Sequence, residues 1–166
     1  MHVKAVTVVY LMVALLGESS AQNVGQTGIL VNQGPPVHFF ASMPTSLSGY
    51  VDHIKYTDVT LNIGGGYNKY SGVFTAPVSG VYQFFFSYQS GRGNENNALY
   101  LVVRGSEVMV SHSQIAAPST ASNLSTYMTV LKKGDVVYVY QKHGGIWAEP
   151  SSRTITFSGS LLSQIF

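Results

Sequence analysis

The sequence predicts an all-β fold, either a sandwich or a barrel of short strands. From residue 37 onwards, apolar and polar side chains alternate along several runs, as in strands, whose successive side chains point to opposite faces. Glycine, proline and asparagine interrupt these runs about every eight to twelve residues, a spacing typical of sandwiches and barrels. The same part of the chain shows no long apolar stripe of helical period.

The run VYQFFFSY shows the alternation most clearly. It places Tyr82, Phe84, Phe86 and Tyr88 on one face of a strand and Phe85 on the other. Four rings on one face fit the space between two sheets, and Phe85 on the opposite face requires a second apolar contact. The other predicted strands lie in residues 99–104, 135–142 and 153–162.

Residues 1–21 have the anatomy of a secretory signal peptide. A short positive start ends at Lys4, an apolar run (AVTVVYLMVALL) follows, and small residues lead to Ala21. A membrane anchor is the alternative, but this run is shorter than the about 20 residues that cross a bilayer. We therefore expect cleavage after Ala21 and export. Residues 22–36 are expected to form a flexible polar tail, and residues 37–166 the domain.

The composition limits the partners that the chain can have. Charged residues make up 10% of the sequence, against about 25% in a typical soluble domain, and the net charge is +2. The basic residues are scattered, and only Lys132 and Lys133 are adjacent, so we expect no nucleic-acid partner. No segment after the signal is apolar enough for a membrane span. With so few charged and so many aromatic residues, the chain is expected to bury part of its surface against further copies of itself.

No pattern in the sequence indicates an enzyme. The chain has no cysteine, no G-x-S-x-G motif and no H-E-x-x-H motif. Its histidines are scattered singly, and its carboxylates lie far from one another in the sequence. Asp135 follows a glycine in a turn and is expected to bond to its own backbone rather than to a metal. We therefore expect no catalytic residues, no cofactor and no metal site.

One series of residues carries a family resemblance, supported at both ends of the domain. The series consists of Tyr56, Asn62, Tyr67, Phe74, Gly80, Tyr82, Phe84 and Phe86. Its spacing resembles that of the globular-head domain of complement C1q, although Tyr56 stands where that family normally has phenylalanine. Flanking segments fit the same family pattern, so the resemblance covers residues 37–166; these segments are VHFFASM, LKKGDVVYVY and TFSGSLLSQIF.

The resemblance implies a ten-stranded jelly roll, shared with tumour necrosis factor, that assembles as a compact trimer. Phe85, Tyr138 and Tyr140 are then candidates for the trimer interface, the alternative being that they belong to the core of one subunit. Gly80 and Gly159 are expected where two pieces of backbone approach closely. Some family members bind calcium near the top of the trimer, but the corresponding segment here, PSTASN, contains no acidic residue.

Two loops are candidates for ligand recognition. SGRGNENN is rich in glycine and amides, and HGGIWAEPSSR contains the chain's one tryptophan. Aromatic rings pack against the apolar face of a sugar, and amide, carboxylate and guanidinium groups bond to its hydroxyls. The alternative for Trp147 is that it plugs one end of the fold. Asn123 heads the sequon Asn-Leu-Ser and is the candidate glycosylation site. The candidate ligand-binding residues are Arg92, Asn94, Asn96, His143, Trp147 and Glu149.

The resemblance implies a secreted, stalkless and non-enzymatic protein of the C1q type. We expect a lectin-like pattern-recognition molecule of innate immunity, which binds microbial glycans, lipopolysaccharide or peptidoglycan through a multivalent homotrimer. The alternatives are a trimeric extracellular signalling ligand, like tumour necrosis factor or the cerebellins, and an extracellular matrix protein.

Overall fold

The protein is represented by a computed structural model that describes residues 35–165. The expected signal peptide, residues 1–21, lies outside the described residues, as do residues 22–34 of the expected tail and Phe166. Within the described part, Pro35 and Pro36 are exposed and Val37 is the first core residue.

Every regular element in residues 35–165 is a β-strand, in agreement with the alternating pattern. The strands are β1 (His38–Ser42), β2 (Leu47–Ser48), β3 (Asp58–Ile63), β4 (Tyr67–Asn68), β5 (Val73–Thr75), β6 (Gly80–Gln89), β7 (Glu95–Val103), β8 (Ser106–Ile115), β9 (Ser122–Leu131), β10 (Val136–His143), β11 (Gly145–Ile146) and β12 (Thr156–Gln164).

Ten of these strands form two five-stranded antiparallel sheets. The first sheet has the order β3-β1-β12-β6-β9 and the second the order β4-β5-β10-β7-β8. The remaining short pair, β11 and β2, forms a separate two-stranded ladder. The predicted ten-stranded jelly roll is therefore confirmed, because non-sequential strands pair in both sheets and the inner faces of the sheets share one core.

Aromatic rings fill the space between the sheets. Tyr82, Phe84, Phe86 and Tyr88, the four rings on one face of β6, are completely buried, as the alternation predicts. The Phe39 ring centroid lies 4.9–5.1 Å from three other rings and contacts strands of both sheets. The rings that surround Phe39 at these distances are Tyr67, Phe74 and Phe157.

Two glycines lie where a side chain has no room, but only Gly80 meets another stretch of backbone as expected, whereas Gly159 lies against two aromatic rings. A Cβ added to Gly159 would come within 2.7 Å of the Phe39 and Phe84 rings. A Cβ on Gly80 would overlap the carbonyl oxygen of Ser163 and approach the Leu161 side chain to 2.5 Å. Both glycines therefore allow β12 and β6 to pack tightly.

The outward side of the first sheet is apolar over several strands. Its exposed or half-buried apolar side chains include Phe85 on β6, and Met128 and Val130 on β9, which are 55% and 52% exposed. The register places these strands side by side, with Val81 opposite Val130 and Gln83 opposite Met128. We call this surface the apolar face; it consists of Phe40, Leu61, Ile63, Val81, Phe85, Leu124, Met128 and Val130.

Candidate functional site

The structure brings together the two loops that the sequence singles out. The Gly91 N–H donates to the Gly145 carbonyl at 2.8 Å, and the Trp147 N–H donates to the Gln89 carbonyl at the same distance. Beside them, the His143 ring nitrogen Nδ1 lies 2.6 Å from the Asn96 carbonyl oxygen. The turn between β6 and β7 therefore packs along the segment that follows β10. We call this region, residues 90–97 with 143–149, the loop site.

Trp147 is exposed at the loop site, so the interpretation that it plugs the fold is wrong. Its side chain is 47% exposed, whereas the neighbouring Ile146 and Ala148 are buried. The indole N–H donates to the Glu149 carboxylate at 2.9 Å. The Thr154 hydroxyl accepts from the Glu149 N–H and donates to the Trp147 carbonyl. These bonds hold a flat indole and an acidic group next to each other at the surface.

The amides of the turn form local hydrogen bonds of their own. Asn94 Oδ1 accepts from the Ala117 N–H at 2.9 Å, and Asn96 Oδ1 lies 2.6 Å from the His112 ring nitrogen Nε2. His112, on β8, was not singled out by the sequence, because only the pairing of β8 with β7, which sets His112 opposite Ala98, brings its ring near Asn96. The Arg92 side chain is exposed. A shallow groove of about 380 Å³ adjoins these residues and is lined by Asn94, Glu95, Asn96, Gln114, Ile115 and Ala116.

The loop site thus combines an open aromatic face with fixed acceptors and donors. Trp147 offers an apolar plane, and Glu149, Glu95 and the exposed amides offer polar atoms at the same end of the domain. Such a combination suits a ligand with one apolar face and several hydroxyls. The Asn94 and Asn96 oxygens each have one partner within the domain, which leaves a second lone pair on each oxygen and the NH₂ groups to bond to a ligand.

The sequon residue Asn123 lies near the entrance of β9 and is half-buried. Its amide nitrogen, the atom to which a glycan would attach, donates to the Tyr88 hydroxyl at 2.7 Å. That hydroxyl in turn donates to Ser113 at 3.0 Å. Glycosylation of Asn123 stays a prediction, and a glycan there would take one of the two N–H groups of this nitrogen.

The three residues singled out for the trimer interface lie on opposite outer faces of the sandwich. Phe85 belongs to the apolar face of the first sheet, whereas Tyr138 and Tyr140 point outward from β10 in the second sheet. None of the three is fully buried inside the subunit, so the alternative that they fill its core is wrong. The sequence could not separate them, because the sheet to which each strand belongs is a property of the topology.

The acidic turn residue Asp135 bonds to its own backbone, as expected. Its carboxylate accepts from the Lys132 N–H at 2.9 Å and pairs with Arg104 at 3.2 Å. The backbone hydrogen bond, followed by the arginine, holds the pKa of Asp135 below its ordinary value. In the part of the chain that the structure describes, no three His, Asp or Glu side chains cluster as metal ligands would. Residues 35–165 also include no helix long and apolar enough to cross a membrane.

The profile of the C1q domain family matches residues 38–162 of this chain. The chain belongs to the C1q domain family. It is 34% identical over 130 residues to complement C1q tumor necrosis factor-related protein 3 of human and of mouse, and this match covers 77% of the chain and 52% of each relative. The chain therefore spans about half the length of these curated relatives.

Solved structures share the C1q-type fold. The globular domain of zebrafish complement 1qA protein matches with a TM-score of 0.62 at 20% identity and covers 79% of this chain and 99% of that one. Murine APRIL at pH 5.0 matches with a TM-score of 0.61 at 11% identity and covers 76% and 99%. At these identities the likeness concerns the fold alone, and it agrees with the predicted jelly roll shared by C1q and tumour necrosis factor.

Proposed function

We propose that this C1q-domain protein is a secreted, non-enzymatic recognition molecule that binds carbohydrate on microbial surfaces through the loop site. The observation that carries the proposal is the exposed Trp147 indole, fixed against Glu149 beside the amide-rich turn. Export rests on the signal-peptide pattern of residues 1–21.

Exposure of Trp147 supports a binding role because the fold does not need this ring. Its neighbours Ile146 and Ala148 enter the core, while the indole stays outside and lies beside a carboxylate. A large exposed aromatic ring that is held in place loses little conformational entropy on binding. Glu149 is positioned to accept hydrogen bonds from ligand hydroxyls, since only one of its oxygens bonds to the indole.

Self-association through the apolar face would give the protein several loop sites. Phe85, Met128 and Val130 lie on neighbouring strands of this face, which is the type of surface that protein contacts bury. A homotrimer is the assembly that the family resemblance implies. Three weak sites that engage a repetitive surface together bind more tightly than one site alone.

A glycan array on the mature protein, residues 22–166, tests the proposal. We expect saturable binding to a set of microbial glycans, competition by the free sugar, and loss of most binding in Trp147→Ala. Tyr70→Ala is the matched control, because Tyr70 is also an exposed aromatic residue, at 78%, but lies in the turn between β4 and β5. Equal binding by the two variants, or no glycan bound by the native protein, contradicts the proposal.

A receptor-directed signalling ligand is the second candidate. The observation in its favour is the 34% identity to a protein named for tumor necrosis factor. In that case a cell-surface screen would identify one protein receptor, and free sugars would not compete for it. The loop site would then contact protein, and the effect of Trp147→Ala would appear in the receptor screen instead of the array.

A further inference from the structure

Tyrosine rings form an open groove on the outer face of the second sheet. Tyr140 on β10 lies directly opposite Tyr100 on β7, and their rings stack with centroids 5.1 Å apart. Tyr50, from the segment that precedes β3, places its ring 6.2 Å from the Tyr140 ring at an angle of 55°. The Tyr50 side chain is 67% exposed, so one face of its ring is open to solvent.

Two carboxylates border these rings. The Tyr140 hydroxyl donates to Glu107, and the Tyr50 hydroxyl donates to Asp52 at 3.4 Å. A cavity of about 390 Å³ lies between them. We call it the tyrosine groove; its lining includes Tyr50, Asp52, Glu107, Tyr138, Tyr140 and Lys142.

The groove is acidic on a protein of net charge +2. Asp52 and Glu107 contribute two negative charges, and Lys142 contributes one positive charge. His53 is the other titratable neighbour: its Nδ1 lies 2.9 Å from Asp52, and its ring packs against Tyr138 with centroids 4.0 Å apart. Two carboxylates against one ammonium group leave the groove lining with an excess of negative charge, which opposes anions and favours cations.

We propose that the tyrosine groove binds an organic cation through an alkylammonium group. The negative face of an aromatic ring attracts a cation within about 6 Å of its centroid, and nearby carboxylates add to the attraction. Lys142 of the groove lining already makes one such contact, since its Nζ lies 5.3 Å from the Tyr100 centroid. The V-shaped opening between Tyr50 and Tyr140 presents a second pair of ring faces beside the carboxylates.

A sugar fits this groove less well than a cation does. The hydroxyls of Tyr50 and Tyr140 already donate to the carboxylates, which leaves Lys142 as the charged donor of the lining. Sugar sites need several donors and acceptors directed at the hydroxyls of one ring. A lipid-type choline headgroup and a lysine side chain of a peptide both supply the ammonium chemistry that the groove requires.

Titration of the ¹⁵N-labelled mature protein, followed by backbone amide shifts, tests this site with three probes. Choline and Nα-acetyl-lysine amide carry the cation, whereas 3,3-dimethylbutan-1-ol is the neutral isostere of choline. We expect saturable shifts at Tyr50, Tyr100 and Tyr140 with one or both cations and no shift there with the neutral alcohol. Tighter binding of choline would identify a headgroup as the source, and tighter binding of the lysine amide a peptide.

Variants separate this site from the loop site. We expect Tyr50→Ala to weaken cation binding about fivefold, the scale of one exposed cation–π contact. We expect Glu107→Gln to weaken it about threefold, the scale of one exposed ion pair. Trp147→Ala should leave the titration unchanged, so the proposal for the groove and the proposal for the loop site can be contradicted independently. Unchanged amide dispersion outside the groove shows that each variant is folded. Equal shifts with the neutral isostere, or no saturable shift with either cation, overturn the proposal.

Discussion

The Tyr67 hydroxyl bonds to both backbone polar groups of Tyr56. It accepts from the Tyr56 N–H at 3.0 Å and donates to the Tyr56 carbonyl at 3.2 Å, and both residues are buried. The side-chain amide of Asn62 likewise bonds to both backbone polar groups of Tyr67: it donates to the carbonyl at 2.8 Å and accepts from the N–H at 3.2 Å. Three positions of the C1q family pattern therefore form one hydrogen-bonded unit, which joins the segment before β3 to β4.

Tyr67→Phe tests this unit. The substitution keeps the ring and its stacking on Phe39 but leaves a buried N–H and carbonyl of Tyr56 without their partner. An unpaired buried polar group costs about 1–3 kcal/mol, and this variant leaves two, so we expect the free energy of unfolding to fall by at least that amount. Denaturant unfolding measures it. Tyr70→Phe, which removes an exposed hydroxyl, should change stability little, and equal losses in the two variants would contradict the assignment.

Gly159→Ala should destabilise the domain although it adds a single methyl group. The Cβ would lie 2.7 Å from the rings of Phe39 and Phe84, and those rings are packed on all sides by the core. Overpacking of this kind costs about 1–3 kcal/mol. Thermal unfolding measures the loss. Gly93→Ala is the control, because its Cβ would meet only the flexible Glu95 side chain, and a drop as large in that variant would argue against the steric cause.

The inner faces of the strands were predictable from the sequence because burial has a period of two. Tyr82, Phe84 and Phe86 stand at every second position, and a strand must place them on one side. The turns were predictable from glycine and proline. The pairing of non-sequential strands, for example β12 with β6, is not encoded locally and came only from the family resemblance.

The sequence predicted less of the two sites than of the fold. Trp147 and Glu149 are two residues apart, so the sequence alone could place them together. The tyrosine groove depends on β7 pairing with β10, which brings Tyr100 opposite Tyr140, and on a loop that returns Tyr50 to them. The alternation puts Tyr138 and Tyr140 on the side opposite Val137 and Val139, but it does not say which side another protein or ligand would contact.

Met128→Glu should dissociate the proposed trimer without unfolding the subunit. Met128 is 55% exposed in the subunit, so a charge is tolerated there by the monomer. In an assembly that buries the apolar face, the same carboxylate would lose its solvation without a partner, which costs several kcal/mol. Size-exclusion chromatography with light scattering, together with circular dichroism, measures both properties.

Val110→Glu is the matched control for the assembly. Val110 is 48% exposed but lies on β8 in the second sheet, away from the apolar face. We expect this variant to keep the mass of the native assembly. If Val110→Glu dissociates the assembly and Met128→Glu does not, the contact lies on the second sheet, and the assignment to the apolar face is contradicted.

Alkaline pH should unfold the domain through its buried tyrosines. Burial raises the pKa of Tyr67 to about 12, and burial also raises the pKa values of Tyr56 and Tyr82. Because the folded protein favours the neutral phenols, their contribution to stability is complete below about pH 10, the pKa of an unfolded tyrosine, and is lost as the pH rises towards 12. We therefore expect absorbance at the tyrosinate band and far-ultraviolet circular dichroism, recorded in one titration, to change together in this window. Ionisation of all the tyrosines with an unchanged circular dichroism spectrum would show that the fold does not hold these phenols neutral.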